Sequence, residues 1–335
     1  MKAIQAHGFS IDQLRLGELP VPTPGRGDIL VRVRAASLNY RDLAVLSGTY
    51  LAGLPLPYIP VSDAAGVVEA VGPDVTRFKA GDRVVPAYIQ GWRDGALTRE
   101  QRAGGTLGGP LPGVLREFMV VPAEDAVRSP AHLDDREAST LPIAAVTAWS
   151  ALLQGGIEAG QTVLVQGSGG VALFAAQFAR ASGARVIALS GSATKAALLR
   201  EHGAEVVVDY RKTPQWSGAV LEATGGRGAD IIVETVGTTL DQSLAAVSFG
   251  GFIGVVGFLG GFEVPLNVRH LIGPMVRLQG IVVGSRARLE SVIRLMELHR
   301  IKPLVDSVFP LAKSADAFRR LEAALHAGKI VIDVS

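Results

Sequence analysis

Short runs in which apolar and polar positions alternate fill the first 125 residues, each closed by Gly, Pro or Asp. Residues 28–37 (DILVRVRAAS) show the pattern best. Successive side chains of a strand point to opposite faces, so this period predicts a half-buried strand. AGVVEAVG (65–72) and GDRVVPAY (81–88) read the same way. The opening MKAIQAHGFS reads as a short strand, since it has no apolar core of signal-peptide type. Residues 90–113 are polar, glycine-rich and aperiodic, which predicts a long surface loop or lobe.

After residue 134 the period changes. DREASTLPIAAVTAWSALLQ (135–154) has helical apolar spacing interrupted by Pro142, which breaks or kinks a helix. Strands and helices then alternate: TVLVQ precedes a helix VALFAAQFARAS, and RVIALS precedes a helix TKAALLREH. EVVVDY, ADIIVETV, GFIGVVGF and RLQGIVVGS follow as further strands. This order predicts an α/β fold with a parallel, doubly wound sheet. ESVIRLMELH and SADAFRRLEAALHAG read as helices, and the last strand, KIVIDVS, is expected to fold back onto the N-terminal domain. A chain of 335 residues exceeds one comfortable core, so two domains are expected.

Composition narrows the chemistry. The net charge is +2, with Lys and Arg scattered among Asp and Glu and no basic run to track a phosphate backbone, so no nucleic-acid partner is expected. No apolar stretch reaches the length of a membrane span, and even GGFIGVVGFLGG is short and glycine-broken, so no membrane span is expected and a cytoplasmic location is. Cysteine is absent, which excludes disulfides and thiolate zinc sites, and the six histidines form no metal-ligand spacing.

The strongest local motif is Gly167-Ser168-Gly169-Gly170-Val171-Ala172, directly after TVLVQ and before an apolar helix. Glycine permits the tight turn and a close backbone approach, and the helix N-terminus offers unpaired N–H groups to a pyrophosphate. Any tight strand-to-helix turn contains similar residues; the flanking strand, helix and following units favour a dinucleotide. An NAD site usually has an acid at the end of the next strand, whereas here Ser190-Gly191-Ser192 stands and the next acid is Glu201. Lys195 then becomes a candidate cation for a 2′-phosphate, with Ser190 and Ser192 as hydroxyl donors, which favours NADPH. A merely solvated helix lysine is the alternative reading of Lys195.

SLNYRDL (37–43), DAAGVVEAVGPDVTRFKAGDRV (63–84), TAWSALL (147–153), VLVQGSGGVALFAAQFARASGA (163–184) and GKIVIDV (328–334) follow one another in an order that resembles the medium-chain dehydrogenase/reductase superfamily, particularly its zinc-free quinone oxidoreductase branch. The resemblance implies a GroES-like, mostly-β catalytic domain from both chain ends (1–125 and 271–335). It also implies a Rossmann NADP-binding domain between them (126–270), and a homodimer. The first catalytic zinc ligand of the zinc-dependent alcohol dehydrogenases falls on Asn39, their G-H-E motif on Val61-Ser62-Asp63, and their third ligand near Ile143. Their four-cysteine loop corresponds to residues 90–113, so no zinc is expected. The resemblance further places Ser190 and Lys195 at the 2′-phosphate, Tyr210 beside the adenosine, and Thr147 and Val256-Gly257-Phe258 near the nicotinamide. An aromatic filling a gap at a strand end is the competing reading of Tyr210 and Phe258.

Without a metal, alcohol oxidation lacks the group that lowers the hydroxyl pKa, and there is no Tyr-x-x-x-Lys pair. A quinone or enone, already electrophilic, needs only positioning and donors for its developing oxyanion. Candidate donors are Asn39, Tyr40 and Tyr50, with Arg41, Asp42 and Asp63 as a supporting charged network; packing is an equal reading for each tyrosine. Trp92 and Trp149 are candidate pocket walls. The expected activity is therefore hydride transfer from NADPH to a small electrophilic acceptor. An alcohol dehydrogenase or carbonyl reductase and an NADPH-binding protein with little turnover are the alternatives.

Overall fold

The computed structural model describes residues 1–51 and 53–335. They form two compact units, Met1–Val146 with Gly284–Ser335, and Thr147–Val283.

The first unit is built on a mostly antiparallel seven-stranded sheet around Asp28–Ser37. That strand pairs antiparallel with Asp63–Val71, Phe118–Pro122 and Lys329–Asp333. Both chain ends therefore share one sheet, as the apolar run at the C-terminus predicted. The core gathers Ile29, Leu46, Leu115, Met119 and Phe318, all fully buried. Phe318 comes from the helix Ser314–Glu322, which turns Ala317, Phe318 and Leu321 inward. Truncating such a phenyl ring costs about 3–5 kcal/mol.

The second unit carries a six-stranded parallel sheet in the order Val206–Asp209, Arg185–Ser190, Thr162–Gln166, Ala229–Glu234, Val247–Val255, Arg277–Gly280. All five residues of Thr162–Gln166 are buried, because helices cover both faces of a doubly wound sheet. The chain order reverses direction beside this strand, which makes its C-terminal end the switch point where such folds bind ligands.

The structure adds to or departs from the sequence reading in several places. Residues 90–113 form a lobe with structure of its own: they contain the helix Arg99–Gly104, opened by a Thr98/Gln101 capping box, and bury Thr106 and Leu107. The helices Trp216–Ala223 and Leu240–Ala246 are added; the first shows only Trp216 and Val220 to the core, too few for a visible period. The strand Val305–Pro310 is added too, a half-exposed edge paired with Lys329–Asp333. Finally, the units divide at 146/147 and 283/284 rather than at 125/126 and 270/271. Ala126–Arg128 pairs with Arg83–Pro86 in the first unit, and Arg277–Gly280 pairs with Val247–Val255 in the second. The interruption at Pro142 is present, as a wide helical turn at Leu141–Ala145 between Asp135–Ala138 and Val146–Gly155. Among the described residues no helix is long and apolar enough to cross a membrane.

Candidate active site

In the second unit the motif residues gather at the C-terminal edge of the parallel sheet. Gly167 has φ +78°, a conformation costly for any residue with a Cβ, and a Cβ there would meet nothing within 4 Å. Space is equally open above Gly169, the N-cap of the helix Gly170–Ala181. No side chain caps that helix, and its first turn, Gly170 and Val171 included, has no acid. Its leading N–H groups are therefore available to an anion. Ser168 is buried in the turn, and Thr147 is buried as well.

The next strand ends at Ser190, whose hydroxyl donates to the Ser192 carbonyl at 3.0 Å. Ser190 thus shapes the turn, while Ser192 caps the helix Ala193–Glu201 by accepting the Lys195 N–H. Tyr210 is tied to Ser190 through its backbone N–H (3.1 Å), and its ring stands over Gly191, where a Cβ would fall 2.6 Å from it. Arg211, which sequence reasoning passed over, has its Nε 2.9 Å from the same point. Tyr210 and Arg211 thus lie against the Ser190–Ser192 turn, which leads into the helix that carries Lys195. Farther along the edge, Phe258 stacks on Phe262 with ring centroids 4.6 Å apart.

A buried carboxylate also went unnoticed. Glu234 accepts from Val236 N–H, Gly237 N–H and Thr239 Oγ1, each at 3.0 Å, and from Gln166 Nε2 at 2.7 Å and Ser243 Oγ. It fixes the turn after its strand. In sequence it is a single acid ending an apolar run, the only available signal.

In the first unit Asn39 is the N-cap of the helix Tyr40–Leu46, its N–H donating to Asp42 Oδ2 at 2.8 Å. Its side chain is buried in a polar cluster. Asn39 Nδ2 donates to Asp63 Oδ2 (2.9 Å), which also accepts the Ile143 N–H (3.2 Å). Lys329 Nζ donates to Asn39 Oδ1 (2.5 Å) and to the Leu38 carbonyl (2.6 Å). Burial pushes the Asp63 carboxyl up from its ordinary pKa, against the pull of Lys329 and Asn39. Burial likewise pushes the Lys329 ammonium down, opposed by Asp63 and Asp42.

A second group adjoins it. Ser62 Oγ donates to Asp42 Oδ1 and accepts from Arg41, whose guanidinium also reaches the Leu107 carbonyl (3.0 Å) and the Gly109 carbonyl (3.2 Å). Arg41 so pins the buried end of 90–113 to the helix. Val61, just before Ser62, has φ +73°, a strained setting for a β-branched residue. Tyr50 Oη accepts from Arg102 at 2.6 Å, and its ring faces both Arg102 and Arg41. Tyr40 is 41% exposed. Trp92 donates to the Gly95 carbonyl within its loop, and Trp149 packs edge-on against Phe178. Burial raises the phenol pKa of Tyr58, and raises that of Tyr88 to about 12, so both are neutral donors at pH 7.

Residues 25–131 match the alcohol dehydrogenase GroES-like domain, and residues 170–297 match zinc-binding dehydrogenase. A zinc-type alcohol dehydrogenase-like protein of Schizosaccharomyces pombe is 38% identical over 332 residues, covering 96% of each chain. Human quinone oxidoreductase is 30% identical, over 96% of this chain and 94% of its own. The solved structure of a mycobacterial protein complexed with NADPH superposes with a TM-score of 0.83 at 30% identity, covering 100% of both chains. The chain belongs to the medium-chain dehydrogenase/reductase superfamily, with a GroES-like domain and a Rossmann domain. Within that superfamily it is an oxidoreductase similar to quinone oxidoreductases and alcohol dehydrogenases alike.

Proposed function

We propose that this protein is a zinc-independent reductase that transfers hydride from NADPH to a quinone or an enone. The observation that carries this reading is the buried cluster at the positions of the zinc ligands. Asn39 is held by Lys329 and Asp63, Ser62 is held by Arg41 and Asp42, and Ile143 offers no donor atom. Two cations already face these groups, and a divalent metal would have to displace them. The residues do not fit zinc.

They do fit a dinucleotide. Space is open above Gly167 and Gly169, and the uncapped helix start at Gly170–Val171 supplies N–H donors for a pyrophosphate. Lys195, Arg211 and the Ser192 hydroxyl suit a 2′-phosphate, and Ser190 ends the strand where an acid would repel one. Tyr210 flanks the adenosine, while Thr147 and Phe258 serve the nicotinamide end. When bound, NADPH supplies the hydride. The chain's own part is to hold the acceptor and to donate hydrogen bonds to the oxygen that gains charge, the role assigned to Asn39 and Tyr50. Tyr40, more exposed, serves as a further donor.

The test is NADPH and NADH oxidation by metal-free protein with a panel of quinones and enones, before and after chelation. Turnover selective for NADPH that survives chelation supports the proposal. Activity that appears only with added zinc and an alcohol overturns it in favour of an alcohol dehydrogenase. Tight NADPH binding with no turnover overturns it in favour of a binding protein.

A further inference from the structure

We infer that Lys329 and Asp63 are positioning residues that lock the Asn39 amide with an N–H directed to the acceptor oxygen, and that the Lys329 charge strengthens this donor. The inference rests on the proposed reduction of an oxygen-bearing acceptor.

An asparagine amide has two ends of nearly equal size, one that accepts and one that donates. Its use as a donor requires that the carbonyl be held away. Lys329 has only donors, so the atom facing it at 2.5 Å must be the amide oxygen. Asp63 Oδ2 already accepts the Ile143 N–H, so that oxygen is an acceptor and the atom facing it at 2.9 Å is the nitrogen. The two neighbours require the same orientation independently. One N–H of the amide goes to Asp63, and the second remains for a ligand. Asn39 keeps 9% of its surface exposed, while Asp63 and Lys329 are 0% and 4% exposed, so Asn39 is the most exposed residue of the three.

The charges are arranged for this end. Burying an ammonium and a carboxylate is costly, and direct contact would recover most through their attraction. Among the described residues these two make no direct ion pair; the Asn39 amide lies between them instead. An amide whose oxygen accepts from an ammonium is polarised, and its N–H groups become stronger donors. A fixed donor of this kind, oriented before reaction, stabilises an oxyanion without reorganisation.

The backbone explains how positions 39, 63 and 329 meet. Ser37 pairs with Asp63 on one side and with Val331 on the other, so three strand ends converge. Lys329 enters after Gly328, at φ +75°, where a Cβ would lie 2.2 Å from the Leu304 carbonyl oxygen.

The experiment compares the wild type with Lys329→Met, Lys329→Arg, Asn39→Ala and the Asn39→Ala/Lys329→Met double variant. Two readouts are taken: kcat and KM with a quinone, and the Kd of 4-nitrophenolate, an oxyanion mimic, for the protein with NADP⁺. Loss of one oxyanion donor lowers kcat about 10²-fold. Lys329→Met is expected to lower kcat and weaken 4-nitrophenolate by about that factor, with the KM for NADPH unchanged. Lys329→Arg should recover most of both. In the Asn39→Ala background, Lys329→Met should add almost nothing, because its effect passes through the amide. Additive losses in the double variant, or unchanged 4-nitrophenolate binding in Lys329→Met, overturn the inference. Should Lys329→Met fail to fold, Asp63→Leu carries the same test, since it removes the acceptor at the nitrogen end of the lock at a similar size. Phenolate binding needs no turnover. A wild type that reduces no acceptor, yet follows this binding pattern, sinks the proposed function and supports the positioning role.

Discussion

At Ser190 the second strand of the Rossmann sheet ends without a carboxylate, and Tyr210 and Arg211 lie against the turn beyond it, which leads into the helix of Lys195. A cation paired with a phosphate contributes about 1.5–3 kcal/mol, and 1.4 kcal/mol is tenfold in affinity. Lys195→Ala and Arg211→Ala are each expected to raise the KM for NADPH about tenfold or more and to leave that for NADH unchanged. An equal rise for both cofactors would place these residues outside the 2′-phosphate site. Acid stability is a separate residue-scale matter. Arg128 (2.9 Å) and the Lys79 N–H hold the Asp82 carboxyl below the usual carboxylate range. A depressed folded pKa contributes stability that is present above about pH 4 and lost as pH falls through the folded value. Asp82→Asn should therefore lower Tm at pH 7, change little below the folded pKa, and so flatten the acid limb of a Tm-against-pH profile. Ser190 and Lys195 stood out as candidates in the sequence because they sit a fixed distance along the chain from the glycine turn. Lys329 was not, since nothing local links it to position 39.

Among the elements, the segment Ile59–Ser62 sets the acceptor-side cluster, and Gly113 lies against it. A Cβ at Gly113 would fall 2.3 Å from the Pro60 oxygen and 2.4 Å from that of Val61. Gly113→Ala is expected to destabilise the protein by about 1–3 kcal/mol, as overpacking does. It should also lower kcat more than its loss of Tm explains, because Ser62 and Asp63 follow the displaced segment. Unaltered kcat in a folded variant would argue against this coupling. In the Rossmann unit, Glu234→Gln puts donors against donors at the turn, and a drop of about 1–3 kcal/mol by denaturant unfolding is expected. Strands with clean alternation and helices with a continuous apolar face were legible, whereas the short capped helices Tyr40–Leu46 and Arg99–Gly104 were not. Trp216–Ala223 and Val305–Pro310 were not, because each shows the core so few residues that no period forms.

For the whole molecule, Arg277–Gly280 ends the parallel sheet, paired on one side with Val247–Val255. Near it in sequence Phe249 and Ile272 are 73% and 74% exposed, and Val268 and Met275 are exposed as well. An open strand edge flanked by large apolar side chains is normally covered. We propose that a second copy of this chain covers it. Light scattering should give twice 35.0 kDa, and Ile272→Asp should shift the mass toward one chain. A wild-type mass of one chain would refute the dimer. The sequence by itself determined the fold class, the dinucleotide turn and the absence of histidine and cysteine at the zinc-ligand positions. Those features are local: a period, a spacing, a residue type at a motif position. The tertiary structure alone decided that Asn39 lies between Lys329 and Asp63, that Arg41 pins the loop beyond residue 90, and that Arg211 lies against the turn at Gly191. Such contacts arise from strand pairing and burial between distant segments, and no periodicity along the chain encodes which side chains will meet.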